Sequence, residues 1–419
     1  MERKANILIA SRLRWPSVAL FAGGLAAAGA NVDVISPPGH PLRHLHGLRR
    51  SRYSLTRPLK SLREAIVRSA PDLIIPCDDI VVEHLIALRN EASAREPKDE
   101  RFLAITDGAM SPNESCQTFL SRAGLISLAR EAGVRAPLTE TIDSADQAVE
   151  WLARHGGPAF MKLDGSCGGH GAREVRSPEE ARAAFADLKT GPSLLAAAKE
   201  IAIEQVFSKA KHRLGLVEPI VSIQKAVPGE QANCSFACWK GEVLSVIAVK
   251  VLQTERPLGI ATHVKVVESE AMRQTAARLA RRLNLSGVFG LDFILDQATG
   301  EPWLIELNAR PTQVSHFRLG AATDTIGELI QAISGERPVF HQSPFGDAKV
   351  ALFPHQLRSK RRAPPDFDFV DDLPFAHPKL LAAYMPVTAR TNRLIGAAWR
   401  RLGDGADRLL GTAAVRARR

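Results

Sequence analysis

Short apolar runs alternate with helical stretches at the start of this chain, and that alternation constrains the fold more than any other feature. Asn6 to Ala10 reads as a strand, Ser17 to Ala28 as a helix and Val32 to Ser36 as a second strand. Asp72 to Pro76 and Ile80 to Arg89 repeat the pattern. Strands that return through helices predict a parallel sheet, whose ligand crevice lies beyond the carboxyl ends of the strands. Gly23, Gly24 and Gly29 fall late in the first helix and not at the strand-to-helix turn, so they read as packing glycines and a helix stop rather than as a dinucleotide fingerprint.

A length of 419 residues, at about 150 per domain, predicts two or three packed units. No apolar run reaches the roughly 18 residues of a spanning helix. The basic, then apolar, then small-residue opening could pass for a leader, but Arg12, Arg14 and Pro16 split the apolar stretch, and a cytoplasmic location is expected. Five cysteines scattered over the chain exclude a dense disulfide framework. Cys234 and Cys238, spaced i to i+4 in a strand-like stretch with no second ligand pair, read as small strand residues rather than zinc ligands.

The net charge of +10 is concentrated. Residues 40–68 hold eight Arg or Lys against Glu64, and residues 356–419 hold thirteen against six acids, +7 each, leaving 10 − 14 = −4 elsewhere. The first segment matches no nucleic-acid motif and holds a single aromatic residue, Tyr53, so it reads as a solvated loop or as a lining for an anionic substrate near Arg43, Arg49, Arg50, Arg52 and Arg57. Residues 390–419 mix Leu394, Ile395, Trp399 and Leu402 with arginines. Packing on the body is the first reading and adhesion to an anionic membrane surface the second, although four glycines weaken a continuous helix. The oligomeric state is not legible.

Farther along, a helix from about Gln117 to Ala132 stops at Gly133, and Asp143-Ser and Ser177-Pro open two more. The strand Ala159 to Leu163 lies between these. After Gly191 the apolar runs read mostly as strands, at Pro219 to Ala226, Gln231 to Trp239 and Val243 to Val251. A helix over Ser269 to Leu283 and a hairpin of Val288 to Leu295 with Pro302 to Leu307 follow.

Two features carry chemistry. Lys162 precedes Gly165-Ser-Cys-Gly-Gly-His-Gly171, where glycines let backbone N–H groups approach phosphate oxygens; taken alone, such a loop is equally a hairpin turn. Asp292 stands on one strand, with Glu306 and Asn308 at i and i+2 on the next. Three oxygen donors on one face suit Mg²⁺, or otherwise form a polar strand face.

Together these residues resemble the ATP-grasp superfamily of carboxylate–amine ligases, over about residues 5–335. The resemblance implies an α/β parallel-sheet domain (1–115), an ATP-grasp small lobe with a glycine-rich lid (116–225), a lobe bearing the metal site (226–338) and a basic C-terminal extension (339–419). It implies ATP and two Mg²⁺ ions, with Mn²⁺ as an alternative, held by Asp292, Glu306 and Asn308. Arg310 would steady the transferred phosphoryl group. Arg122 and Lys162 would reach the ATP phosphates beneath a lid of Gly165, Ser166, Gly168, Gly169 and Gly171. The adenine and ribose would meet Gln224, Lys225, Val227 and Gln231. Gln224 and Gln231 replace acids in this frame, and Ile203-Glu204-Gln205-Val206 is a rival hinge. Lys250, His263, His170, Asp78 and Asp79 are further candidates with ordinary structural readings.

The implied activity is ATP-dependent activation of a substrate carboxylate as an acyl phosphate for attack by an amine. Its rivals are a phosphotransferase or protein-modifying enzyme, a noncatalytic ATP-binding protein, and an arginine-rich adaptor.

Overall fold

The computed structural model describes residues 3–385 apart from 96, 110–120, 167–168, 205–207, 339, 341, 344 and 359–368. The chain opens with β1 (Asn6–Ala10), α1 (Pro16–Ala27), β2 (Asn31–Ser36), β3 (Arg49–Arg52), α2 (Pro58–Ser69), β4 (Leu73–Pro76), α3 (Asp79–Ser93) and α4 (Glu100–Ala109). The four strands form one parallel sheet in the order β3-β2-β1-β4. The chain therefore leaves β1 in one direction and returns on its other side, so the expected ligand crevice falls where β1 and β4 end.

Helix α1 is apolar all round because it is covered all round. It lies on the sheet through Phe21 and Leu25, in a core that also holds Ile326 and Leu380. At Gly23 a Cβ would meet the imidazole of His377, and at Gly24 the side chain of Ile326. The two glycines are close-approach residues, and the leader-like composition is that of a helix sandwiched between neighbours.

Next come α5 (Arg122–Glu131), β5 (Thr139–Ile142), α6 (Ala145–His155), β6 (Ala159–Leu163), β7 (Ala172–Val175), α7 (Pro178–Thr190), α8 (Leu194–Glu204), α9 (Ser208–Arg213) and β8 (Val221–Lys225). Their strands make an antiparallel sheet ordered β5-β8-β6-β7, packed through Trp151, Met161 and Ile223. Two sequence expectations change here. Ile203 and Glu204 of the rival hinge lie in α8 and not in a strand, its Gln205 and Val206 lying outside the described residues, and the Ala- and Leu-rich run after Gly191 follows helix propensity. The helix expected from Gln117 is described only from Arg122, residues 110–120 lying outside the described residues.

The remainder is β9 (Gly229–Trp239), β10 (Glu242–Thr254), β11 (Ala261–Val267), α10 (Glu270–Leu283), β12 (Gly287–Asp296), β13 (Pro302–Asn308), α11 (Thr325–Ser334), β14 (Lys349–Ala351), α12 (His355–Arg358), β15 (Phe369–Asp371) and α13 (Pro378–Tyr384). Seven of these strands form a sheet ordered β13-β12-β9-β10-β11-β14-β15. Helix α10 covers one face, over Phe236 and Phe289, whose rings stack at 5.7 Å. Cys234 and Cys238 are buried on that face as small strand residues, with burial holding both thiols up in pKa and inert.

Past residue 339 the chain does not stand apart where it is described. β14 pairs with β11, β15 pairs with β14, His316 Nε2 lies 2.9 Å from Asp372, and Leu380 of α13 is buried in the core of the N-terminal unit. The arginine-rich tail beyond Met385 lies outside the described residues. Among the described residues no helix is long and apolar enough to cross a membrane.

Candidate active site

The hairpin β12–β13 places Asp292 directly opposite Glu306, and Gly290 opposite Asn308. A register shift between Asp292 and Phe293 brings both β13 side chains to the Asp292 face. Asn308 Nδ2 donates to Asp292 Oδ2 at 2.9 Å, which leaves the Asn308 carbonyl oxygen for a further partner. On the other side of β12, Asn233 of β9 stands opposite Asp292.

Arg122 closes this site. It begins α5, whose N-cap Ser121 accepts from the Gly124 N–H at 3.1 Å. Its guanidinium donates to Glu306 Oε1 through Nε at 3.2 Å and Nη2 at 2.9 Å, to Ser166 O at 2.6 Å, and to Leu163 O. One cation thus links the hairpin to the glycine-rich loop. Lys162 Nζ donates to Gln224 Oε1 at 2.7 Å, and Gln224 Nε2 donates to Thr139 Oγ1 at 3.0 Å and to Ile305 O at 3.4 Å. This accounts for the glutamine: a carboxylate at 224 would hold Lys162 but could not donate to the Ile305 carbonyl, and would set its charge against it.

The loop meets the tip of the β10–β11 hairpin. Gly169, at φ +71°, lies so close to the Leu258 carbonyl that a Cβ would overlap it. Gly165 has φ +70°, Gly171 abuts the Ser166 side chain, and Ser166 Oγ donates to Leu163 O at 2.6 Å. Gly168 lies outside the described residues. Arg310 leaves β13 toward the N-terminal unit, donating to Asp79 Oδ1 at 3.1 Å and stacking 4.5 Å over the ring of Trp15. The metal-type carboxylates are thereby joined to the crevice at the ends of β1 and β4.

Other candidates stand elsewhere. Lys225 points away from Gln224 and donates to His155 O and Gly156 O, at 2.6 and 2.8 Å. Lys250 pairs with Glu230 at 2.6 Å on the opposite face of the sheet from Asp292. His263 packs on Phe369 at 4.6 Å. His170 is exposed, and Val227 lies half-buried between β8 and β9. Gln231 lies two residues before Asn233 on the Asp292 face. Asp78 is a buried N-cap for α3.

Asp164 and Asn233 belong to the site although the sequence reading passed over them. Asp164 Oδ1 accepts from the Arg122 N–H at 3.4 Å, whereas Asp164 Oδ2 and Asn233 Oδ1 are buried without a hydrogen-bond partner among the described residues. The period of two from Gln231 could have found Asn233.

Electrostatics sort these groups. Burial pushes Asp292 up, helped by the neighbouring Glu306 charge. The same burial is outweighed at Glu306 by Arg122 and Lys162, which hold it below its ordinary value. Burial lifts Asp164 to about 6 against the pull of Arg122. Two adjacent carboxylates, a free amide oxygen and buried unpaired oxygens form a set of oxygen donors only, which fits Mg²⁺. Among the described residues no three His, Cys, Asp or Glu side chains converge, so such a site depends on its amide oxygens.

Burial lowers Lys162 to about 8. An amine depressed in this way is charged below that pH and neutral above it, so attraction for a polyanion is present below pH 8 and lost above. The dissociation constant for ATP should rise roughly tenfold per pH unit above 8, the limit for loss of one required proton. Titration calorimetry between pH 7 and 9.5 checks this, and Lys162→Met should remove the dependence.

An ATP-grasp domain family matches residues 129–314. The formate-dependent phosphoribosylglycinamide formyltransferase of Ignicoccus hospitalis is 25% identical over 258 residues, 59% of this chain and 56% of that protein. The chain thus matches little more than half the length of this relative. Biotin carboxylase from Campylobacter jejuni superposes with a TM-score of 0.56 at 15% identity, over 82% of this chain and 73% of that one. Carboxyaminoimidazole ribonucleotide synthase from Aspergillus clavatus, solved with ATP, superposes with a TM-score of 0.58 at 13% identity, over 82% and 80%. The chain shares its fold with these two enzymes, and its residues 129–314 match an ATP-grasp domain.

Proposed function

We propose that this protein is an ATP-dependent carboxylate–amine ligase. The observation that carries the reading is the convergence of Asp292, Glu306 and Asn308 with Lys162 and Arg122 under a glycine-rich lid, joined through Arg310 to the N-terminal crevice. A substrate carboxylate oxygen attacks the γ-phosphorus of ATP, ADP leaves, and an amine then attacks the acyl carbon, losing one proton as phosphate departs. Mg²⁺ ions held by Asp292, Glu306 and Asn308 would neutralise charge on the phosphate oxygens.

The chain's own residues do the rest. Lys162 and Arg122 supply positive charge where the phosphoryl oxygens gain negative charge, and Arg310 stands between that point and the acceptor. Gln224, Val227 and Gln231 line the adenine and ribose end. The close approach of Gly169 to Leu258 would help exclude water, which would otherwise hydrolyse the acyl phosphate. Formyl transfer and carboxyaminoimidazole ribonucleotide synthesis, the activities in the relatives' names, support acyl-phosphate chemistry.

We place the acceptor at the ends of β1 and β4. Arg12 lies over the Tyr53 ring at 4.9 Å, Tyr53 Oη lies 2.9 Å from His84 Nδ1, and Asp79 holds Arg310 there. The arginines of residues 43–57 lie mainly on and around edge strand β3, with Arg49 held by Asp33 at 2.7 Å, and would attract an anionic substrate at longer range.

The test is nucleotide analysis with MgATP and a small-metabolite extract, with and without hydroxylamine. ADP that requires the extract, with a hydroxamate trapped by hydroxylamine, is the expected result. ADP with a stable phosphorylated product and no hydroxamate would make the protein a phosphotransferase. Failure to bind ATP would end the reading.

A further inference from the structure

Asn233 occupies a position that the reaction outlined above leaves unused. It sits near the middle of the seven-stranded sheet, opposite Asp292 on β12, which is in turn opposite Glu306 on β13. Directly opposed residues in antiparallel strands share a face, with Cβ atoms about 5 Å apart. Glu306, Asp292 and Asn233 therefore form one row across three strands.

The row ends at Asn233. On its far side stands Val249 of β10, fully buried in an apolar cluster with Phe317. Two residues along the same strand face, Ser235 Oγ is already engaged with Ser315 Oγ at 2.7 Å. The Asn233 carbonyl oxygen is buried with no hydrogen-bond partner among the described residues. A buried acceptor of this kind is costly unless something meets it. The adjacent side chain cannot, because an ionised carboxylate only accepts. Two neighbouring groups of acceptor oxygens are matched by a cation that both can face.

We propose that Asn233 is a fourth protein oxygen donor for a hard divalent cation held by Asp292, Glu306 and Asn308. The inference rests on the metal-site reading of those three residues. It extends the site from the terminal hairpin onto the central strand β9, which also carries Gln231, so that cation and nucleotide would be held by one rigid element.

Mn²⁺ is the probe, titrated into the full chain without nucleotide and followed by loss of the free-ion EPR signal. Asn233→Ala should weaken Mn²⁺ binding about tenfold, with the metal-free melting temperature unchanged or raised because a buried orphan oxygen is removed. Asn233→Asp, which keeps an oxygen and adds charge, should bind at least as tightly as the parent and serves if the alanine variant does not fold. ADP binding in EDTA should be the same in the parent and in Asn233→Ala. An unchanged Mn²⁺ affinity in Asn233→Ala overturns the proposal. If that variant instead loses ADP affinity in EDTA, the amide serves a phosphate as a donor. Asp292→Asn separates the two levels of the argument: loss of Mn²⁺ binding there but not in Asn233→Ala sinks this inference alone. Absence of Mn²⁺ binding in the parent chain sinks the metal site with it.

Discussion

Replacing Glu306 by glutamine should lower ADP formation by on the order of 10³-fold, because the Mg²⁺ ions that would offset charge on the transferring phosphoryl group lose an anionic ligand. The protein should stay folded, since a glutamine oxygen can still accept from the Arg122 guanidinium. Glu306→Ala should behave differently. Arg122 is held by burial and by its carboxylate partner, whose charge outweighs desolvation and keeps the guanidinium more basic than usual. Removing that partner leaves the cation with the carbonyls of Leu163 and Ser166 and only the more distant Asp164 carboxylate, 4.0 Å away, and should destabilise the protein by about 3 kcal/mol. Both side chains keep some solvent contact, at 18% and 29% exposure, so the lower end of the range for buried pairs applies. Arg122→Met in the Glu306→Ala background should restore most of the stability and none of the activity. Calorimetry beside an ADP-release assay checks both. A double variant no more stable than Glu306→Ala would show that the ion pair is not what holds the lid to the hairpin.

Asp78→Ala should produce the largest loss of stability outside the site. This fully buried carboxylate accepts from the Arg12 and Leu13 N–H groups, the latter at 2.9 Å, from Ser11 Oγ at 3.0 Å and from the Val81 N–H at 3.0 Å. It caps α3 and also shapes the turn that leaves β1, the two walls of the crevice. Alanine leaves buried donors unmet, each costing about 1–3 kcal/mol without full additivity, so a total of about 4 kcal/mol is expected. Asp78→Asn, which keeps one accepting oxygen, should lose about half as much. Chemical denaturation measures the difference. If both variants unfold at the parent's midpoint, the turn is held by something other than Asp78.

Much of this architecture could be read before any coordinates. Strand Asn6–Ala10 follows from a short continuous apolar run, and the hairpin carrying Asp292, Glu306 and Asn308 from residues two apart on one strand face, patterns that a short window captures. Three kinds of feature escaped. β14 and β15 have three residues each, too short for any period to register, and β14 finds its place through β11 and β15 through β14. In β11 itself, Thr262, His263 and Lys265 interrupt the apolar run that would announce a strand. The bond between Arg122 and Glu306 joins residues 184 positions apart, a contact that no local pattern encodes. Gln224 shows the opposite case. It looked like a departure from an acidic hinge, and its environment of one ammonium, one hydroxyl and one carbonyl is what a glutamine satisfies and a glutamate does not.

The late strands β14 and β15 and the packing of α13 beside α1 bear on how the chain is made. A ribosome releases α1 long before His377 and Leu380, which complete its surroundings. Until then a helix with almost no polar face has one side uncovered, and the outer edge of β11 offers unpaired backbone groups until Ala351 has emerged. Exposed edges and apolar helices of this sort are what nascent chains aggregate through. That packing must therefore wait until α13 has left the ribosome, and the nascent chain should depend on holding chaperones more than its finished stability would suggest.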